Sequence, residues 1–439
     1  MTFGTFQAGI HPPYFKEASS GREIRDISLP EEVVIPLHQH TGVPCDPLVK
    51  VGDHVLVGQK IGDSKAFVTA PVHASVSGEV KAVEPRPYFT GANVMSVVIA
   101  TDGEQESASL PGGTTVENAT PGEIKKAARE AGLVGMGGAA FPTAVKLSPP
   151  QDKPIDTIVI NGCECEPFLT CDHRIMLERA DDMIAGSFLI MKAVGAGKCV
   201  FGVENNKPDV IELLSQKIKD RTDMAVIPLE TKYPQGSEKQ LIKATLNREV
   251  PPGKLPMEVG TVVNNVQTAV ALLEAVTTGR PLIDRVLTVA GPAAREPQNV
   301  RVKIGTPVKH VLSECGGVQD AAKVILGGPM TGWAQSSLDV PVVKGTSGIL
   351  ALTPQMARVT PHLACVRCGK CVEHCPVMLY PNFIGVYAEA KIWDKAEAWN
   401  VLDCFECGVC AYVCPSKRPL VQFVRFAKAE VLARRQAGR

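Results

Sequence analysis

The chain has 439 residues, enough for about three domains, and its 45% hydrophobic and 21% charged residues are ordinary for a globular protein. Lys plus Arg and Asp plus Glu balance at 46 each, which excludes a global charge attraction to nucleic acid or to an acidic substrate. No apolar run reaches the ~18 residues that a spanning helix needs; residues 183–191 come closest before Lys192 interrupts.

The opening Met1-Thr-Phe-Gly-Thr lacks a basic segment followed by an apolar one, so secretion is not expected. Fourteen cysteines without an export signal point to a reducing compartment and metal ligation. The overall expectation is a multidomain α/β protein.

Residues 1–110 predict an all-β domain. Short alternating runs at 49–80 are separated by Gly-Asp, Gly-Gln and Ser-Gly turns. The pattern resembles the lipoyl/biotinyl carrier fold, a barrel-sandwich of two small sheets. Lys65 does not sit in the Met-Lys or Asp-Lys setting of a carrier lysine, so no swinging arm is expected. His38 and His40 form an H-x-H pair that is read as exposed. Residues 102–120 are polar and Gly/Thr-rich, a linker.

Residues 111–280 predict a Rossmann-like α/β domain. Thr120-Pro121-Gly122-Glu123 spells a capping box with Pro at the first helical position. The helix feeds a glycine loop, Gly135-Met-Gly137-Gly138-Ala-Ala140. It matches the dinucleotide fingerprint only formally, because a helix precedes it where a strand is required. Residues without Cβ still let the backbone approach a phosphate. Strands at 155–160, 199–203 and 224–229 alternate with helices at 179–194, 208–219 and 265–277, which implies a parallel sheet. Gly195-Ala-Gly197-Lys198 is no P-loop, because Lys192 and Cys199 occupy positions where that motif needs Gly and Ser/Thr. Asn161-Gly-Cys-Glu-Cys-Glu-Pro167 follows a strand directly, where open α/β sheets bind ligands.

Residues 281–352 return to short strands and Gly/Pro turns, a β-grasp domain. Residues 353–439 carry Cys365-x2-Cys368-x2-Cys371-x3-Cys375-Pro376, repeated as Cys404-x2-Cys407-x2-Cys410-x3-Cys414-Pro415. This is the spacing of a two-[4Fe–4S] ferredoxin-like domain, in which the fourth Cys of each run ligates the other cluster. One cluster is thus assigned Cys365, Cys368, Cys371 and Cys414, the other Cys404, Cys407, Cys410 and Cys375. Structural zinc favours paired C-x2-C units with a long gap, and two complete four-Cys runs do not fit it. The terminal helix, expected at 420–435, closes a basic segment of Lys417, Arg418, Arg425, Lys428, Arg434, Arg435 and Arg439, read as a solvated face or a contact for an acidic partner or anionic lipid.

Three segments together resemble the flavin-bearing, NADH-oxidising subunit of respiratory complex I: Gly135-x-Gly-Gly-x-x-Phe141-Pro-Thr-x-x-Lys146, Asn161-x-x-Glu164-x-Glu166-Pro167 and Thr261-Val-Val-Asn264-Asn265-Val-x-Thr268. The Cys-Glu-Cys-Glu-Pro variant, the lipoyl-like start and the double cluster motif make the whole chain similar to the C subunits of Rnf complexes. These are membrane-bound ferredoxin:NAD oxidoreductases that couple electron transfer to Na⁺ or H⁺ translocation.

The resemblance implies FMN, NAD(H) and two [4Fe–4S] clusters as cofactors. It implies FMN contacts from Gly135, Gly137, Gly138, Lys146, Asn161, Glu164, Asn265 and Thr268. For NADH it implies Phe141, Glu166, Glu238 and Tyr233, although Ser237 replaces an acid of the family's segment around the last two. Membrane iron–sulfur and flavin subunits are the implied partners, ferredoxin an indirect one, and nucleic acid none. The implied location is peripheral, on the cytoplasmic side of the membrane.

Hydride exchange followed by single-electron transfer needs no general acid or base, and none is assigned. Cys163, Cys165, Cys171 and His173 have ligand-like spacing but are read as packing beside the flavin. Two alternatives stand beside this reading: a soluble corrin reductase with the same flavin core and paired clusters, and a flavin-free adaptor whose clusters only dock partners.

Overall fold

The computed structural model describes residues 3–438. Of the span 1–110 expected as one β domain, residues 32–101 form it. One sheet orders Glu32–Pro36, Asn93–Thr101, Gly78–Pro87 and His54–Val55; the other orders Asp46–Pro47, Lys60–Asp63 and Val72–His73. Every pairing is antiparallel. Inward Val33, Ile35, Ile61, Val72, Val97 and Ile99 fill the space between the sheets. Gly78 is required here: at φ +150° a Cβ would lie 1.9 Å from the Ala100 carbonyl. Lys65 is exposed, and His40, read as exposed, is buried.

The residues before this domain form a strap across the rest of the molecule. Gly4 bridges Leu229, Ile10 bridges Tyr233, and Arg25–Asp26 adds in parallel to Val300–Arg301. Short strap segments thus satisfy backbone groups at exposed sheet edges. The stretch 102–120, expected as a linker, is also tied down. Ala108 donates to Val57, Thr114 donates to Val276, and a Cβ on Gly113 would collide with the Thr277 carbonyl.

The α/β domain carries a four-stranded parallel sheet in the order Met224–Leu229, Lys198–Glu204, Thr157–Asn161, Thr261–Asn265. The helices Pro121–Glu130, Ala180–Val194, Pro208–Lys217 and Val266–Thr278 stand within two residues of their expected ends. Both arms of the capping box at Thr120 and Glu123 are formed. The strand Thr157–Asn161 is flanked by one strand following it and one arriving much later, so the sheet order reverses beside it. That is the switch point where crevices open at carboxyl ends. Asn161 and Asn265 are register partners at those ends.

A six-stranded mixed sheet follows, in the order Arg25–Asp26, Gln298–Lys303, Asp284–Ala290, Gly348–Leu352, Lys323–Leu326, Trp333–Ala334. The helix Val308–Glu314 packs Val308, Val311 and Leu312 onto its apolar face. Lys344 of this domain is buried, and its Nζ donates to Pro71 of the barrel (2.6 Å) and Gly132 of the α/β domain (2.7 Å). One buried side chain therefore joins three domains.

The last domain is helical: Lys370–Glu373, Pro381–Glu389, Trp393–Ala398, Val409–Tyr412 and Leu420–Ala437. Among the described residues no helix is long and apolar enough to cross a membrane. Most of the basic segment is ion-paired, with Arg418 buried, Arg425 and Lys428 half-buried and Arg434 and Arg435 exposed. Arg418 pairs with Glu389, Arg425 and Lys428 with Glu406, Arg434 with Asp394 and Arg435 with Glu397. Lys417 is exposed, and Arg439 lies outside the described residues.

Candidate functional site

A cavity of about 480 Å³ opens at the switch point, a volume suited to a small-molecule ligand. Gly137, Gly138, Asn161, Glu164, Glu166 and Asn265 line it, with the barrel and the β-grasp domain closing the far side. The glycine loop forms one wall. It is pinned at its base, where Gly135 N–H donates to the Phe141 carbonyl (2.9 Å) and Met136 N–H to Thr268 Oγ1 (3.1 Å). A Cβ on Gly138 would meet nothing within 4 Å, because it would project into open space. A Cβ on Gly137 would press to 3.0 Å from Asn265 Nδ2. Bare backbone at these two positions is what a phosphate-bearing ligand needs for close approach.

The opposite wall is the loop after Thr157–Asn161. Its polar side chains brace the loop itself. Asn161 Nδ2 donates to the Gly236 carbonyl (2.8 Å), and its Oδ1 accepts from Cys163 N–H (3.2 Å). Glu164 accepts from Asp172 N–H (2.8 Å) and His173 N–H (3.3 Å), capping the helix Cys171–Glu178. Glu166 accepts from Met330 and Thr331 N–H, both at 3.0 Å. Burial pushes the Glu166 carboxyl up from its usual range despite these bonds. Asn265 caps the helix Val266–Thr278, and its Nδ2 donates to Asp172 (2.6 Å). Burial first, then the nearby Glu164 charge, pushes Asp172 up to about 6.

Two buried lysines hold this loop from behind. Lys16 Nζ donates to the carbonyls of Glu164 (2.8 Å), Glu166 (3.0 Å) and Leu169. Lys207 Nζ donates to the Cys163 carbonyl (2.6 Å) and pairs with buried Glu204 (3.1 Å). Sequence inspection missed both. Lys16 lies in the strap, far from any motif, and its only signal was an isolated cation in an otherwise uncharacteristic stretch.

Arg285 was also missed. Fully buried, it donates to the Met136 carbonyl of the glycine loop (2.7 Å) and to the Lys344 carbonyl (2.6 Å).

Other expected ligand contacts lie outside the cavity lining. Gly135 and Thr268 support the glycine loop. Lys146 pairs with Glu238 (2.8 Å) and donates to the Val263 carbonyl (2.6 Å), so each neutralises the other. Phe141 sits at the loop base rather than on the cavity wall. Tyr233 is 2% exposed, and its O–H donates to the Cys407 carbonyl (2.7 Å), toward the cysteine domain. Aromatic rings at the cavity wall come instead from Tyr88, Phe89 and Trp333, the last two edge to face at 6.2 Å.

The remaining cysteines and histidines mostly pack. Cys163 is buried against the Gly202 carbonyl, and Cys171 against Ser347 and Gln267. His173 pairs with Asp209 (2.9 Å). Ligand atoms of Glu164, Cys171 and Asp172 lie within 4.8 Å of one another, but Glu164 and Asp172 are already hydrogen-bonded. His40 Nε2 lies 3.1 Å from Thr69 Oγ1 and accepts from Ala70 N–H.

The motif cysteines form two groups. One small cavity is walled by Cys375, Cys404, Cys407 and Cys410; another by Cys365, Cys368, Cys371 and Cys414. None of the eight is in a disulfide. The two loops repeat each other. Arg367 N–H donates to Cys365 Sγ and Glu406 N–H to Cys404 Sγ, both at 3.4 Å. Gly369 and Gly408 both take left-handed φ, +80° and +84°. Burial pushes the Cys404 thiol up to about 11 and Cys407 to about 12. Desolvated thiols arranged around one small cavity fit a polynuclear metal group, whose positive charge supplies what holds them as thiolates.

The inner group abuts the large cavity. Cys165, on its wall, packs in one apolar cluster with Ile10, Met330, Tyr233, Cys407 and Val409.

Family models match all four parts: the RnfC barrel sandwich hybrid domain over 4–104, the Nuo51 FMN-binding domain over 128–274, the SLBB domain over 286–334 and the 4Fe-4S dicluster domain over 359–415. The chain is 49% identical to the C subunit of the Na(+)-translocating ferredoxin:NAD(+) oxidoreductase complex of Acetobacterium woodii, covering 99% of both chains. It is 44% identical to the C subunit of the proton-translocating ferredoxin:NAD(+) oxidoreductase complex of Clostridium ljungdahlii, over 97% of this chain and 94% of that one. A solved NAD+-reducing [NiFe]-hydrogenase shares the fold at a TM-score of 0.51 and 20% identity, over 73% of this chain and 62% of that chain. An FMN-binding domain and a two-cluster iron–sulfur domain thus stand in one polypeptide, and the chain belongs to the family of C subunits of ion-translocating ferredoxin:NAD(+) oxidoreductase complexes.

Proposed function

We propose that this chain exchanges hydride between NAD(H) and FMN in the large cavity and passes single electrons through two [4Fe–4S] clusters to or from the other subunits of an ion-translocating ferredoxin:NAD(+) oxidoreductase complex. Bound FMN supplies the conversion between two-electron hydride and one-electron cluster chemistry. Gly137 and Gly138 leave room for its phosphate side, and Asn161, Glu164 and Asn265 shape the wall opposite. Gly135, Thr268 and Arg285 hold the glycine loop in place. Lys146 and Glu238 act as a supporting pair beneath it. Phe89 and Trp333 offer aromatic surface at the cavity wall for a nicotinamide nucleotide, with Glu166 beside them and Phe141 at the loop base.

Cys375, Cys404, Cys407 and Cys410 ligate the cluster nearer the cavity; Cys365, Cys368, Cys371 and Cys414 ligate the outer one. The observation that carries this function is that cavity-wall Cys165, with Met330, packs against the apolar cluster that contains Tyr233 and Cys407. This apolar packing lies between the cavity and the inner cysteine group. The chain sits peripherally on the cytoplasmic side of the membrane, and the ion pathway belongs to other subunits.

Anaerobic addition of NADH to the purified protein tests this function. Flavin bleaching with appearance of reduced-cluster EPR signals supports it. Bound iron with no flavin and no response to NADH after FMN is supplied refutes it and favours an adaptor.

A further inference from the structure

The two cysteine loops share one conformation but not one environment. The inner loop is covered: Gly408 lies against Met330, where a Cβ would be 2.8 Å from its carbonyl, Val409 is fully buried, and Tyr233 bonds Cys407. The equivalent surface of the outer loop faces solvent. Cys368 is exposed, and Val366 is 66% exposed beside it. Leu363 (66%) and Val359 (82%) continue the apolar surface. Leu363 N–H donates to the Ser416 carbonyl, which brings Lys417 to the same face.

Charge distinguishes the loops as well. Glu406 of the inner loop is neutralised by Arg425 and Lys428. Arg367, at the equivalent place in the outer loop, forms no ion pair among the described residues, nor do Lys370 and Lys417. Residues 354–372 contain no acidic residue.

We propose that this face, centred on Cys368 and formed by Leu363, Val366, Arg367, Lys370 and Lys417, docks the next electron carrier of the complex through a carboxylate-rich surface surrounding that carrier's own one-electron centre. The proposal rests on the electron-transfer function above and names the surface through which it is completed. The inner loop already shows how such a loop seats against a neighbouring domain, with Gly408 against Met330 and Val409 in the apolar cluster with Tyr233. The outer loop presents its turn to solvent with Lys370 where the inner loop has Val409; Arg367, Lys370 and Lys417 outnumber the one carboxylate beside the turn, Glu373, and this positive balance would steer an anionic partner into register. The step is a single-electron exchange in which one centre is oxidised as the other is reduced, with no bond made or broken.

The test uses the cofactor-loaded chain and membrane vesicles from cells lacking this subunit, which supply the remaining subunits. The variants are Lys370→Glu/Lys417→Glu and the neutral Lys370→Gln/Lys417→Gln. In the isolated variants NADH reduces the clusters as in wild type. On mixing with the vesicles, re-oxidation of the reduced clusters slows at least about tenfold for the Glu variant and less for the Gln variant. The wild-type rate falls as salt rises from about 0.05 to 0.5 M.

Re-oxidation of the Glu variant at the wild-type rate, or a wild-type rate indifferent to salt, overturns the proposal. So does binding of wild type but not variant to protein-free phosphatidylglycerol vesicles with electron transfer unchanged, which assigns the face to lipid. Failure of NADH to reduce the wild-type clusters is a different result and defeats the proposed function itself.

Discussion

The phenol of Tyr233 donates a 2.7 Å hydrogen bond to the backbone carbonyl of Cys407. Tyr233 comes from the α/β domain and Cys407 from the inner cysteine loop, so this bond, with Gln240 Nε2 donating to the Pro376 carbonyl, ties the two domains together. Tyr233→Phe keeps the ring and removes the bond, leaving a buried carbonyl unpaired. We expect a loss of about 1–3 kcal/mol of stability. Amide exchange at residues 404–410 should rise while exchange in the barrel domain stays unchanged. Unchanged exchange in the loop would show that the bond does not hold it.

Lys16 should matter to the cavity although it lies in the strap. Its ammonium satisfies three carbonyls of the cavity-wall loop, and Lys16→Met would leave them without a donor. The expected cost is about 3 kcal/mol, with bound flavin lost on gel filtration. A Lys16→Met protein that retains stoichiometric flavin would remove the strap from the account of the site.

Gly138→Val separates ligand binding from folding. Its Cβ points into open cavity space, so thermal stability should change by no more than about 0.5 kcal/mol. Flavin affinity should fall at least about tenfold, which corresponds to ~1.4 kcal/mol. Fluorescence titration of the apoprotein with FMN measures it.

Acid should loosen the barrel. Burial, assisted by the Lys344 charge, lowers His40 to about 4 and His73 to about 3. The unfolded chain binds these protons near pH 6.5 while the folded one does not. Stability is therefore fully present above about pH 6.5 and is lost as pH falls toward 4 and then 3. His73→Gln should flatten the slope of stability against pH in that window. An unchanged slope would move the acid sensitivity elsewhere.

What could be read from the sequence follows the range of the interactions involved. The cysteine runs are local, and the two groups of four that their spacing assigns are the groups that wall the two small cavities. The capping box at Thr120 and the strand at 224–229 are local too. The strap was not legible, because Lys16 finds its carbonyls 148 to 153 residues away. Lys146 carries a motif position yet pairs with Glu238, 92 residues on, since a cation near a carboxylate and the Val263 carbonyl is better satisfied there than in an open cavity. The family resemblance places Tyr233 with the nucleotide from its own segment alone. The partner that buries it lies 174 residues later. The basic terminal segment is exposed at Lys417, Arg434 and Arg435, as a solvated face requires, while the acids that pair it are distributed over other elements.

The central claim is a path from the cavity through the inner cysteine group to the outer one. Anaerobic EPR of Cys404→Ala after NADH addition tests it most directly, with flavin absorbance followed in the same sample. We predict that the flavin bleaches as in wild type while the outer cluster, held by Cys365, Cys368, Cys371 and Cys414, stays oxidised. An outer cluster reduced at the wild-type rate without an intact inner one would contradict the path.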